Sequence, residues 1–178
     1  MFYNYSSLPD VSADFTRDTY SLLMNFSGLK LQSGYNSDSD AVLVGIIKSP
    51  EKMAETLKRG SSRVANDIVP NATGNNRQKF SIPGTTIATL YLQIIVIKKP
   101  TEEELALLKS GIGDQVNLTS RVIFNELIPL SGQYTREILD NEGTQVIATQ
   151  NAGVQRKTIE GMSKQAAISV RDMILYAF

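Results

Sequence analysis

Between Thr85 and Lys98 the chain repeats with a period of two. Ala88, Leu90, Leu92, Ile94 and Val96 make one wholly apolar face, and Thr89, Tyr91, Gln93 and Ile95 mix polar and apolar groups on the other. Successive side chains of a strand point to opposite sides, so only an extended segment gathers these five residues together. A strand that buries one face completely and the other only in part predicts a sheet covered by helices on one side. Pro100, which cannot donate to a ladder, ends it.

The cover must come from helices, and two are legible. From about Val154 to Tyr176, Ile159, Met162, Ala166, Val170, Met173, Ile174 and Ala177 recur every three or four residues. Arg156, Lys157, Glu160, Lys164, Arg171 and Asp172 take the opposite side. A first helix is expected from about Ser12, as cap, to Ser27. Phe15, Leu22, Leu23 and Phe26 share one of its faces, Asp14 sits in its first turn, and Gly28 serves as its left-handed stop. Leu29 to Leu31 then alternates as a short strand, and Asn36 to Asp40 reads as a turn. Ala41 to Lys48 is apolar on both sides, which predicts a central strand.

Further on, Thr101 and Glu104 have the spacing of a capping box, so Thr101 to Gly111 reads as a short acidic helix. Val116 to Glu126 is expected as another strand. Asp140 to Gly143 is a turn, with helix onset or a short strand near Thr144 to Thr149. No repeat or linker divides the chain. The expected architecture is α+β, one domain over residues 1–178, with two helices packed on one face of a roughly four-stranded mixed or antiparallel sheet.

Composition removes much chemistry. The 178 residues contain no His and no Cys. Ser-His-Asp and Cys-His catalysis, zinc sites built on those ligands and disulfides are therefore impossible within the chain. Eighteen basic residues balance eighteen acidic ones, so no global positive field recruits nucleic acid. No apolar run approaches the ~20 residues of a membrane-spanning helix. Carboxylates remain available for an enzyme. However, Asp38 and Asp40 lack the rest of a calcium loop, and Glu102 to Glu104 suit the positive end of a helix dipole. No cofactor or metal is expected. The Tyr residues are scattered, with Tyr91 alone on a strong strand, which argues against a base-stacking platform.

Residues 51–80 show little periodicity and read as a long mobile loop or an extended hairpin arm. From Lys58 to Lys79 this segment carries Lys58, Arg59, Arg63, Arg77 and Lys79 against Asp67. Arg77 and Lys79, just ahead of the strong strand, are candidates to bind an anionic group, Arg as a fork and Lys as a point charge. Arg156 and Lys157 are secondary candidates for the same task. A solvated surface role is the competing reading for all four.

The order helix, strand, strand, long strand, strand, helix, together with Ser39-Asp-Ala-Val-Leu-Val-Gly-Ile-Ile47, resembles the lipopolysaccharide-assembly lipoproteins of Gram-negative bacteria (LptE). Their strand has the form Ala-Asp-Ala/Val-Leu-x-Gly-x-Ile. The resemblance implies a non-enzymatic protein at the periplasmic face of the outer membrane. Such a protein plugs and helps assemble a β-barrel lipopolysaccharide translocon (LptD-like) and binds lipopolysaccharide with basic residues. It also implies that Phe2 to Leu8 keeps the end of a first strand. Arg77 with Lys79, and Arg156 with Lys157, occupy the regions where that family is basic. The family's anchor is an acylated N-terminal Cys, so on this reading the membrane anchor lies ahead of Met1. The segment 51–80 and the acidic stretch 101–114 depart from the family. Two other classes fit the residues: another envelope assembly or secretion lipoprotein, and a small carboxylate-based ligand-binding or enzymatic α+β module.

Overall fold

The computed structural model describes residues 1–34, 38–50, 56–59, 64–67, 78–81, 84–111, 121–136 and 144–177. Its axis is the predicted strand, β6 (Gly84–Lys98), which is paired on both edges. One edge carries β7 (Val122–Arg136), antiparallel from Gly84↔Arg136 to Ile97↔Val122. The other carries β2 (Ala41–Lys48) over Tyr91–Lys98 and then β3 (Leu57–Arg59) over Thr86–Ala88, both antiparallel. β1 (Phe2–Tyr5) closes the far side, parallel to β2. β4 (Val64–Asp67) and β5 (Gln78–Ser81) form a separate two-stranded antiparallel arm, so the hairpin alternative holds for that part of 51–80, whereas Leu57–Arg59 joins the main sheet instead.

The architecture is α+β as expected, with α1 (Val11–Leu23) and the final helix on one face of the mixed sheet. Ala88, Leu90, Leu92 and Ile94 lie fully buried beneath Val11, Phe15 and Leu23 of α1 and Ile159, Met162, Ala166 and Val170 of the final helix. The opposite face is not bare throughout. α2 (Glu102–Lys109) starts at the predicted capping box, in which the Glu104 N–H donates to Thr101 Oγ1 at 3.2 Å and the Thr101 N–H to Glu104 Oε2 at 2.8 Å. Its Leu105 and Leu108 pack on Val42, Val44, Ile46, Ile95 and Ile97. This corrects the expectation of helices on one side only: β2 is apolar on both faces because α2 seals its second face.

Other boundaries move for identifiable reasons. α1 begins at Val11, and Asp10, not Ser12, is its N-cap. Asp10 adopts φ 56° and makes no side-chain cap bond. Burial of Leu8 and Val11 fixes the chain's approach instead. The helix stops at Leu23, before the poor helix formers Asn25, Ser27 and Gly28. The described left-handed glycines are Gly34 and Gly111, not Gly28. Leu29 to Leu31 is not a strand, although Leu31 packs against the core. Of the predicted turn, residues 36 and 37 lie outside the described residues, as do residues 116–120 of the strand expected at 116–126 and the turn 140–143.

β7 extends ten residues beyond that expected strand. Pro129 and Gly132 hide its alternation of Ile128, Leu130 and Tyr134. Pro is tolerated because the described ladder engages β7 on one edge only, leaving the other without need of its N–H. Gly132 is required by close approach: a Cβ there would meet the Thr158 methyl at 2.4 Å. Gly45 does the same for β1, since its missing side chain is replaced by the Phe2 ring, which tilts against Phe15 at 6.3 Å. The final helix, α3 (Thr144–Ala177), starts at Thr144, the place expected for a helix onset or a short strand, ten residues before Val154, and is about 51 Å long. Propagation from the packed part carries it beyond the residues that bury surface.

Leu92 is fully buried at the centre of the helix-covered face. Leu92→Asp is expected to abolish the cooperative thermal transition, because the new carboxylate has no partner there. Circular dichroism on heating checks this, and a folded variant would refute the assigned core face.

Candidate functional surfaces

Of the four predicted basic residues, three fall among the described residues. Arg77 lies outside them. Lys79 is placed in β5 by its backbone. Arg156 and Lys157 sit on the exposed side of α3, and Arg156 faces acids: Nη2 is 3.9 Å from Asp14 Oδ2 and Nε is 3.6 Å from Glu160 Oε1. Two carboxylates already compete for its charge, which weakens Arg156 as a free anion receptor.

Those contacts belong to a polar seam between α1 and α3. Asp14, buried on α1, pairs with Arg17 at 3.0 Å, and Arg17 Nε donates to Asp18 Oδ1 at 2.9 Å. Ser163, fully buried on α3, donates its hydroxyl to Asp18 Oδ2. Burial pushes the Asp18 carboxyl up, but the Arg17 and Ser163 bonds and the charges of Arg17 and Lys164 outweigh it. The carboxyl therefore titrates below its ordinary value of 3.8. The seam links the two helices, and spacing within α1 alone does not disclose it, since Asp14 suits the first turn by itself and the partners of Asp18 include Ser163 on α3.

The outer sheet face divides into two halves. α2 covers the half above Val42, Val44, Ile46, Ile95 and Ile97. At the boundary, Lys48 Nζ donates to Gln93 Oε1 at 3.1 Å, and Gln93 Nε2 donates to Asn125 Oδ1 at 2.9 Å. This polar row crosses three strands and satisfies the buried Gln93 amide. Beyond it, no described residue covers the surface. Ile87 is 40% exposed and Leu127 57% exposed, beside Tyr91, Pro129, Ser131 and Gln133. Register places Tyr5, Lys48, Tyr91 and Pro129 on one rung across β1, β2, β6 and β7. Three of the scattered tyrosines, Tyr3, Tyr5 and Tyr91, thus share a sheet face, which sequence spacing could not reveal.

The two described concavities are open grooves. One runs along α1, lined by Ser12, Ala13, Thr16, Arg17, Tyr20 and Ser33. The other gathers Asp40, Lys98, Lys99 and Arg121 at the end of β6. Arg121 is held there by Glu104 Oε1 at 2.6 Å, so acids offset this corner as well. Among the described residues, no group of three or more acidic side chains is placed to hold a metal, and no helix is long and apolar enough to cross a membrane.

No family model matches the chain, and no curated protein matches it. Among solved structures, it is similar to a "putative lipoprotein" from Caulobacter crescentus CB15, with 7% identity and a TM-score of 0.45 over 99% of this chain and 89% of that one. A likeness of this degree assigns no family.

Because the Asp18 carboxyl titrates low in the folded state, its contribution to stability is present in full above pH 3.8 and is lost as pH falls through the lowered value. The stability gap between wild type and Asp18→Asn is therefore expected to be constant near neutrality and to close in acid below that value. Denaturant midpoints of both proteins across this range check it.

Proposed function

We propose that this chain is the folded domain of an envelope lipoprotein of the lipopolysaccharide-assembly kind. It acts without catalysis, as a plug and assembly partner for a β-barrel translocon at the outer membrane, and it contacts lipopolysaccharide. One observation carries the reading: the half of the outer sheet face that no described residue covers. Ile87, Leu127, Tyr91 and Pro129 give it apolar area, and Ser131, Gln133 and the Thr side chains of β6 and β7 give it neutral hydrogen-bonding groups. A surface of this composition suits docking against another sheet, such as the wall of a barrel. The parallel β1–β2 pair and the two helices over a mixed sheet also fit the resemblance of the Ser39 to Ile47 strand. Another envelope assembly or secretion lipoprotein would use the same face for a different partner.

The test is a pull-down of the acylated full-length protein from solubilised outer membranes. A large β-barrel in stoichiometric amount is the expected companion. Ile87→Asp combined with Leu127→Asp is expected to abolish that capture while leaving stability within about 1 kcal/mol, since both side chains are already solvated. Undiminished capture by the double variant would remove this face as the interface. Recovery of only a secretion or pilus component would favour the alternative.

The arm carries a separate expectation. Charge reversal at Arg77 and Lys79 should weaken lipopolysaccharide binding several-fold with little change in melting temperature. Equal binding in a direct titration would exclude them.

A further inference from the structure

β7 is fifteen residues long, and among the described residues only one of its edges is paired. Pro129 shows which backbone groups the other edge presents. It lies opposite Tyr91 in a regular stretch of the ladder, and having no N–H it occupies a position turned away from β6. Every second residue shares that orientation. Leu127, Ser131, Gln133 and Thr135 therefore direct both N–H and C=O outward, and Pro129 directs a C=O alone. α3 does not stand over the space beside this edge. Arg156 and Ser163 mark the side of α3 that meets Asp14 and Asp18 of α1. Thr158 lies on roughly the opposite side of the helix, and it is Thr158 that reaches Gly132 of β7. The axis of α3 thus lies inboard of β7.

β7 carries two charged residues before its end and at it, Glu126 and Arg136, and alternation puts both on the helix-covered side. Neither pairs with an opposite charge among the described residues. Ser131 lies midway between them. A two-fold axis through Ser131, with a second β7 laid antiparallel along the first, sets Glu126 of each copy opposite Arg136 of the other. The strand is its own electrostatic complement. In this register Leu127 faces Thr135 and Ser131 faces Ser131, and each pair exchanges two backbone bonds. Gln133 donates to the Pro129 C=O without return. Glu126 and Arg136 fall at non-hydrogen-bonded positions, where facing side chains approach most closely. Sliding one strand by two residues sets Glu126 against Tyr134 or carries it past Arg136, so the charges select one register.

We infer that this edge of β7 pairs with the same edge of a second copy of the chain, antiparallel and centred on Ser131, so that two sheets join into one. The axis runs perpendicular to the sheet, so both copies turn their helices to one side and their outer faces to the other. Leu127 and Pro129 of one copy then continue into Gln133 and Thr135 of the second. The inference rests on backbone direction and charge, and not on the envelope reading above.

Sedimentation equilibrium of the purified chain tests it. The expected dimer is weak, with Kd on the order of 0.1 mM, since one strand pair buries less than a standard interface. Glu126→Arg and Arg136→Glu, each alone, set like charges opposite one another twice per dimer and are expected to raise Kd about tenfold or more. Mixed in equal amounts, the two variants oppose unlike charges at both contacts again, so a heterodimer forms near the wild-type Kd. The double variant with both reversals is expected to self-associate as wild type does. Ser131→Pro removes an outward donor and leaves the β6 ladder intact, so association is lost with little change in Tm. A wild type that stays monomeric at about 1 mM would overturn the pairing, given the affinity expected of so small an interface. Single reversals that associate like wild type would overturn it as well. So would single reversals that lose association and do not regain it on mixing.

Discussion

The structure depends on β6 being paired along both edges. Its fifteen residues hydrogen-bond to β7 on one side and to β2 and β3 in succession on the other. A strand so enclosed has no backbone group left for solvent over most of its length, so its side chains decide what covers each face. Ala88, Leu90, Leu92 and Ile94 require an apolar cover, and α1 and α3 supply it. The odd-numbered residues change character midway. Ile95 and Ile97 need a cover and receive α2, whereas Ile87, Thr89 and Tyr91 receive none among the described residues. One strand thus accounts for the number of helices, their sides and the boundary between sealed and open surface.

What the sequence made legible follows from that strand. Repeats of two and of three or four residues identify β6 and the packed part of α3, because burial imposes the period directly, and an unbroken apolar run identifies β2. The capping box of α2 was equally plain, because two side chains satisfy two backbone donors by local spacing alone. The misreadings arose where a residue answered to a neighbour distant in sequence. Gly132 breaks the pattern of β7 to admit Thr158, and Pro129 is harmless there only because of its place at an edge. Gly28 has the sequence mark of a helix stop, yet α1 ends five residues earlier.

The candidate surfaces were less visible still. Asp14 and Asp18 look like solvated charges until α3 brings Ser163 and Arg156 against them. Tyr5 and Tyr91 are 86 positions apart and become rung-mates through Lys48. Basic residues stand out in a sequence, but whether each is already neutralised does not. Here that distinction weakens Arg156 as an anion receptor.

The parallel pairing of β1 with β2 has a mechanical side. Met1 to Tyr5 is bonded to Leu43–Lys48 along its length, and the Phe2 ring is keyed into the space that Gly45 leaves. A pull on the amino end along the strand axis loads all of those bonds together in shear instead of peeling them one at a time. The ring in its notch adds a steric catch against sliding. The lighter attachment to the fold is thereby the one best oriented to bear tension, so a tether fixed ahead of β1 would hold the domain without unravelling the sheet from its edge.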